Sequence, residues 1–435
     1  MNIDKIIALT IWLIFTPGLV FSQVPAPVKK YPNKVLIIGG TAHLGNGEVI
    51  QNAAIAFENG QFNFVKKKTH GKINESSYGK VIRLTTEHIY PGFILPNNTL
   101  GITEIDAIRA TRDYDDVGQY NPNLRSAVAY NPESKIIYTV RDNGVFITQV
   151  TPRGGVISGA SAIMKLDAWN YEDAAIEMVD GYHLNWPSRF AGGGVWYNAQ
   201  AIKKAKNTDQ RIISITDFFR MAKAYSLTNN PELNLKYESL KPLFTGEKTL
   251  YVHCNMSKEI LQVIHFKKEL EIKKVVIVGG YDAGMLTNEL SESHIPVILR
   301  RVHSLPVKPQ DDPYYSYKLP AVLQKGGVLF CLDMSGSMEA MNARNLPFLA
   351  GEAAGFGLTQ EEAVQSITLN AAQILGIDKM YGSLEAGKQA TFFISEGDAL
   401  DMRTNNIIYG WIDGRPLVLD DTQKQLYRKY SEKYE

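Results

Sequence analysis

The sequence predicts an α/β protein, a (β/α)8 TIM-like barrel with a small β-sandwich domain formed from both chain ends. Short β-like runs lie near both ends of the chain, and between them apolar runs alternate with helical patterns. The alternating region, residues 91–377, is close in length to the roughly 250 residues typical of an eight-stranded β/α barrel. We therefore expect a sandwich part at 23–90, a barrel at 91–384, and the rest of the sandwich with a tail at 385–435.

The first 22 residues differ in composition from the rest of the chain. Lys5 gives a short positive region, residues 6–20 are almost continuously apolar, and Ser22 precedes an expected cleavage before Gln23. Residues 1–22 therefore predict a signal peptide and a secreted or periplasmic protein. An uncleaved anchor is the alternative, but Pro17 and Gly18 interrupt so short a run. No cysteine follows the leader, so a lipoprotein is not expected, and no other stretch is long enough to span a membrane.

Composition excludes several classes of protein. The chain has 435 residues, of which 45% are hydrophobic, and its 46 basic and 45 acidic residues leave a net charge of +1. Because no strong field exists to attract polyanions, nucleic acid is not an expected partner. Cys254 and Cys331 both lie in apolar runs, so a disulfide scaffold is excluded and two buried thiols are expected.

The individual elements follow from local patterns. Turn signals at Asn59-Gly60 and Asp413-Gly414 separate short strands in the two terminal parts. Apolar runs predict parallel barrel strands at 146–150, 161–166, 250–253, 275–278, 296–299 and 328–332. An amphipathic pattern predicts one helix over 360–375, with Thr359 as its N-cap and Glu362 completing a capping box.

Four stretches of sequence, one near the start of the barrel and three near its end, resemble the amidohydrolase superfamily, especially its imidazolonepropionase-like members. Tyr90-Pro-Gly-Phe-Ile is similar to the first barrel strand of that family. The stretch from Gly357 to Ile377 is similar to its closing helix, Gly382-Ser-Leu-Glu-Ala-Gly-Lys-Gln-Ala to its return to the sandwich, and Ile412-Asp-Gly-Arg to its final hairpin. The resemblance implies metal-assisted hydrolysis of carbon–nitrogen bonds other than peptide bonds.

The resemblance also implies where metal ligands should lie, and three of the five positions are substituted. The two first-strand histidines are replaced by Asn97 and Thr99, and the sixth-strand histidine by Gly280. His253 and Asp333 remain at the fifth-strand and eighth-strand positions. Zinc needs about three protein ligands, so a standard centre cannot be assembled from these two alone. One divalent metal, zinc, is the only cofactor that the resemblance suggests.

Other residues near strand ends are candidates for the site. Arg153 could hold a substrate carboxylate bidentately, although a surface ion pair is the favoured role. His183 and His303 could contribute to substrate binding, although a hydrogen-bonded loop or core histidine is the more common case. Lys165 also lies at a strand end, where the structural role is favoured more strongly.

One competing motif points to another class of protein. Asp333-Met-Ser335-Gly-Ser337 after an apolar strand matches the Asp-x-Ser-x-Ser pattern of a von Willebrand A-type domain, which binds magnesium. Such a motif opens a doubly wound domain, yet the residues that follow it resemble the amidohydrolase terminus. The glycines at 279–280 fit neither the dinucleotide nor the P-loop spacing.

Two hypotheses remain open. In the first, the protein is an exported hydrolase of amides or cyclic amides, with Asp333 as base and His253 as ligand or electrophile in a reduced or rebuilt metal site. In the second, it is a catalytically inactive relative that binds a small molecule or serves as partner subunit of another amidohydrolase, in a homo- or hetero-oligomer.

Overall fold

A computed structural model describes residues 27–29, 34–69, 73–191 and 203–434. The expected signal peptide, residues 1–22, lies outside these ranges, so export stays a prediction. Within the described ranges, no helix is both long enough and apolar enough to cross a membrane.

Strands and short helices alternate along most of the described chain. The strands are β1 (Val35–His43), β2 (Val49–Glu58), β3 (Gln61–Lys67), β4 (Lys80–Arg83), β5 (His88–Pro91), β6 (Phe93–Asn98), β7 (Val145–Val150), β8 (Ile157–Lys165), β9 (Ala175–Asn185), β10 (Phe190–Ala191), β11 (Lys203–Lys204), β12 (Thr249–Cys254), β13 (Val275–Gly279), β14 (Val297–Leu299), β15 (Phe330–Leu332), β16 (Phe392–Ser395), β17 (Ile407–Ile412) and β18 (Arg415–Pro416). The helices are α1 (Lys135–Arg141), α2 (Tyr171–Ala174), α3 (Thr208–Leu227), α4 (Leu235–Thr245), α5 (Ser257–Leu270), α6 (Thr287–Glu292), α7 (Tyr315–Lys325), α8 (Glu339–Asn342), α9 (Leu346–Gly355), α10 (Gln360–Ser366), α11 (Leu369–Leu375) and α12 (Thr422–Ser431).

An eight-stranded sheet forms the barrel, in the order β6-β7-β8-β9-β12-β13-β14-β15. The predicted barrel is confirmed, but the expectation of a wholly parallel sheet is wrong at β8, which runs antiparallel to both β7 and β9. The cause is the short connection at 151–156, because a parallel neighbour would need a crossover of a dozen or more residues.

The seam between β15 and β6 is bridged by the segment that the sequence predicted as one helix. The Ile94 N–H donates to the carbonyl of Ile367 (2.9 Å), and the Asn370 side chain donates to the carbonyl of Phe330 (3.0 Å). Because Ile367 bonds to the barrel, the helical pattern breaks there, and the single helix expected over 360–375 is instead α10 and α11. The predicted cap is confirmed, since the Thr359 side chain accepts from the Glu362 N–H.

The second sheet combines strands from both ends of the chain, as predicted. Its order is β18-β17-β16-β5-β1-β2-β3, and β4 also pairs with β1. Alternate residues of β16 serve different cores because successive side chains point to opposite faces. Phe392 stacks on Trp411 within the small domain, whereas Phe393 packs against Phe93 and Phe146 of the barrel. The two parts therefore share an aromatic junction.

Local turn and cysteine predictions also agree with the structure. Asn59 and Gly60 join β2 to β3, Asp413 and Gly414 join β17 to β18, and all four residues have positive φ. That is the backbone of a two-residue hairpin turn, which Asn-Gly and Asp-Gly favour. Both cysteines are free and buried.

Candidate functional site

The site begins at Asn97, near the carboxyl end of β6. Asn97 is buried and has φ of 49°, a left-handed conformation that asparagine tolerates better than most residues. Its backbone N–H donates to Oε1 of Gln149 on the neighbouring strand β7 (2.9 Å). Its side-chain Nδ2 donates to Oδ2 of Asp333, which follows β15, at 2.8 Å. Two of the five expected ligand positions are thus bonded directly to each other.

Asp333 is fully buried and is surrounded by donors. The Ser335 hydroxyl and N–H both donate to its carboxylate (2.9 and 3.0 Å), and the Arg301 N–H is 3.3 Å from Oδ1. Burial raises the pKa of Asp333 to about 6, and the hydrogen bonds from Asn97 and Ser335 oppose that rise. The carboxyl group therefore titrates near neutral pH.

Arg153 lies on the connection between β7 and β8 and contacts the other side of Asn97. Its Nη1 donates to Oδ1 of Asn97, and its Nη2 donates to the Asn97 carbonyl, both at 2.9 Å. Nε and Nη2 donate to Oε1 of Glu339 at 3.2 and 2.8 Å. Arg153 therefore does form an ion pair, but its side chain and that of Glu339 are only 22% and 9% exposed, so the expectation that the pair lies at the surface is wrong. The pair is largely buried because the loop carrying Arg153 folds back over the end of β6.

Two histidines lie on the neighbouring strands β9 and β12. His183 Nδ1 is 2.9 Å from Nε2 of His253, and its Nε2 is 2.9 Å from the Ser161 hydroxyl. Burial, and secondarily the charges of Arg153 and Arg300, lower the pKa of His253 to about 3. Burial lowers the pKa of His183 well below its ordinary value. Both imidazoles are therefore neutral at pH 7.

A second layer of polar side chains lies beneath these residues. Asp180 is buried on β9, and its Oδ2 accepts from Gln149 Nε2 (2.7 Å) and from the Tyr251 hydroxyl (2.8 Å). Burial raises the pKa of Asp180. Sequence analysis missed Gln149 and Asp180, although a polar residue in an otherwise apolar strand was a usable signal, since such groups need buried partners.

The remaining expected positions do not join this network. Gly280 has φ of 64°, which strains any other residue, and a Cβ there would lie 2.7 Å from Val297 Cγ1, so a side chain at this position would be crowded as well. The Thr99 hydroxyl is buried and has no hydrogen-bond partner among the described residues. His303 is 64% exposed and pairs with Glu352 (2.7 Å) at the surface.

Comparison with known proteins agrees with the fold and with the carboxy-terminal sequence. A family model described as the amidohydrolase family matches residues 255–417. This part of the chain is therefore similar to the amidohydrolase family. Among curated proteins, an imidazolonepropionase from Flavobacterium johnsoniae is 24% identical over 160 residues, 34% of this chain and 39% of that protein. One from Shewanella frigidimarina is 60% identical over 37 residues, 8% and 9% of the two chains.

The chain thus spans well under half the length of these curated relatives. An amidohydrolase structure from Thermotoga maritima superimposes with a TM-score of 0.74 at 20% identity, covering 88% of this chain and 99% of that one. At that identity the similarity shows the fold. The von Willebrand A-type alternative is wrong, because Asp333 follows β15, the last strand of the eight-stranded barrel sheet, and does not open a doubly wound domain.

The described residues do not fit the metal centre that amidohydrolases imply. They contain no group of three or more His, Cys, Asp or Glu side chains placed to hold an ion. Asp333 accepts from Asn97 and Ser335, and the His253 Nε2 atom is bonded to His183. The Arg153 guanidinium adds a positive charge beside Asn97, which opposes binding of a divalent cation.

Proposed function

We propose that this protein is an exported amidohydrolase relative that binds a small carboxylate-bearing molecule at the carboxyl end of its barrel. In this proposal it does not use hydroxide generated on a metal. The observation that carries the proposal is the chain of bonds from Arg153 to Asn97 and from Asn97 to Asp333. A guanidinium stands in contact with a former ligand position, and the neighbouring carboxylate is already satisfied.

The charge distribution favours an anionic ligand. Arg153 and Arg300 both lie close enough to His253 to lower its pKa, so their positive field reaches the site. Four N–H groups of Arg153 are used by Asn97 and Glu339, which leaves one Nη1 N–H of its five donors without a described partner. Arg300 is exposed. A ligand carboxylate could therefore bind between Arg300 and the remaining Arg153 donor.

Calorimetric titration with matched pairs of compounds would test this proposal. Each pair consists of a small N-acyl carboxylate and its neutral primary amide, which differ in charge but hardly in shape. We expect the carboxylate to bind about tenfold or more tightly, and Arg300→Met to reduce that preference, because a charge-assisted bond contributes about 1.5 to 3 kcal/mol. Equal affinities for both members of every pair would contradict the proposal.

Elemental analysis of the purified mature protein tests the part of the proposal that says the site holds no metal. We expect less than about one tenth of an equivalent of zinc after dialysis, because tight zinc binding needs about three protein ligands. About one tightly held zinc per chain would overturn the proposal. Amino-terminal sequencing of exported protein would separately test cleavage before Gln23.

Hydrolysis of amides or cyclic amides is the second candidate function. It is favoured by the pKa of Asp333, which at about 6 lies near the value that suits a general base at neutral pH. Against it, both Asp333 oxygens already accept hydrogen bonds from Asn97 and Ser335. Turnover of N-acyl or cyclic-amide substrates that is abolished by Asp333→Asn would establish this alternative.

A further inference from the structure

We propose that Gln149 and Asp180 are positioning residues that hold Asn97 in its left-handed conformation and thereby fix the guanidinium of Arg153. The inference rests on the proposed function only in assuming that Arg153 contacts the ligand. Neither Gln149 nor Asp180 reaches Arg153 directly, so both act through Asn97.

The first step is the bond between the Asn97 backbone and Gln149. A left-handed conformation is unfavourable for most residues other than glycine, and Asn97 adopts it while almost completely buried. Its N–H would be unsatisfied there without the 2.9 Å bond to Gln149 Oε1. Gln149 is therefore the group that stabilises this backbone conformation.

The second step is the orientation of the Gln149 amide. A glutamine amide can turn over and exchange its oxygen with its NH2 group, and only one orientation accepts from Asn97. Asp180 selects that orientation because its Oδ2 accepts from Nε2 at 2.7 Å. Tyr251 in turn donates to the same Asp180 oxygen at 2.8 Å, which holds the carboxyl group in place. In the reversed orientation, the Gln149 oxygen would lie against the Asp180 carboxylate and the Gln149 NH2 group against the Asn97 N–H, so neither contact could be a hydrogen bond.

The third step is the consequence for Arg153. One carboxamide, that of Asn97, donates to Asp333 and accepts from Arg153, so the backbone conformation sets both contacts. Two of the four Arg153 bonds are to Asn97, and the other two are to Glu339. If Asn97 left its conformation, Arg153 would keep only the Glu339 bonds and could rotate about that pair.

A ligand-free measurement separates this inference from the proposed function. In Gln149→Met, a substitution of similar volume, we expect the Arg153 Nε–H signal in 15N–1H NMR spectra to shift or broaden relative to wild type. Thr148→Val is the matched control: Thr148 is buried on the same strand, points to the other face of the sheet, and donates to the Leu95 carbonyl (3.1 Å). We expect it to leave the Arg153 signal unchanged.

Ligand binding gives the second measurement. In Gln149→Met the preference for a carboxylate over its neutral amide should fall about tenfold, corresponding to roughly 1.4 kcal/mol. A merely structural role would weaken both ligands together and leave the preference unchanged. If wild type shows no carboxylate preference, the proposed function fails, while the Arg153 signal still decides the positioning role.

Two results would overturn the inference: an Arg153 signal in folded Gln149→Met identical to that of wild type, or an equal disturbance in Thr148→Val. If Gln149→Met does not fold, Gln149→Glu replaces it. The carboxyl group of that variant accepts from Asn97 but can donate to Asp180 only when protonated, so its Arg153 signal should depend on pH more than in wild type. The same pH profile in both proteins would contradict the positioning role.

Discussion

Removing the guanidinium of Arg153 should destabilise the protein far more than removing an exposed arginine. Arg153→Met deletes two bonds to Glu339 and two to Asn97. Glu339 would stay largely buried without its ion-pair partner, keeping only the hydrogen bond that its Oε2 accepts from Gly336 N–H (2.9 Å) and the weaker attraction of Arg301. Breaking a buried pair from one side costs roughly 3 to 5 kcal/mol, and we expect about 3 kcal/mol here because Arg153 is partly exposed.

Urea unfolding followed by circular dichroism would measure this loss as a change in the free energy of unfolding. Arg153→Met combined with Glu339→Gln should recover part of it, because the introduced amide carries no charge and its oxygen still accepts from Gly336. The control is Arg220→Met, which breaks the exposed Arg220–Glu269 pair and should change stability only slightly. If Arg153→Met costs no more than the control, or if the double variant recovers nothing, the buried-pair explanation is wrong.

Three further predictions concern other parts of the chain. Gly280→His should lower the free energy of unfolding by about 2 kcal/mol or more and gain no zinc in elemental analysis. The positive φ at Gly280 and the nearby Val297 Cγ1 both disfavour a side chain there. A stable, zinc-binding variant would contradict this. The unfolded chain protonates His253 near pH 6.5 and the folded chain only near 3, so stability should fall as pH drops below 6.5. At pH 4.5 the loss should be about 3 kcal/mol smaller in His253→Asn than in wild type, and equal losses in urea unfolding would refute this. Thr359→Ala should lower the free energy of unfolding by about 1 kcal/mol, because it removes the cap bond to the Glu362 N–H. Coinciding unfolding curves of the variant and wild type would contradict this.

The barrel was predictable because alternating strands and helical patterns leave few other arrangements, but two of its details are not visible in the pattern of apolar residues. Strand direction is not encoded in an apolar run, so the antiparallel course of β8 could be inferred only from the short connection before it. The break between α10 and α11 has no local signal in a continuous amphipathic pattern. It arises because the carbonyl of Ile367 bonds to Ile94, a partner far away in the sequence.

Some residues of the site could likewise be identified from the sequence, and others could not. His253 and Asp333 could be identified from the resemblance, because each sits at a recognisable strand end. Gln149 lies in a largely apolar strand and Asp180 in a strand of mixed character, and neither matches a motif. Their partnership exists only because β7 and β9 flank β8 in the sheet. His303 shows the opposite case, a histidine after a strand that the structure pairs with Glu352 at the surface.

The substitution at position 97 explains how Asp333 can remain buried in the proposed metal-free site. In an amidohydrolase the bound cation would offset the negative charge of this carboxylate, and a buried carboxylate without any partner is costly. Here the Asn97 amide, the Ser335 hydroxyl and the Arg301 N–H supply donors instead. Asparagine offers a donor to Asp333 and an acceptor to Arg153 at once, so the three residues form one unit. Reintroducing histidine at 97 alone would therefore remove that unit without creating a metal site, since Gly280 still excludes a ligand and Arg153 still supplies a positive charge.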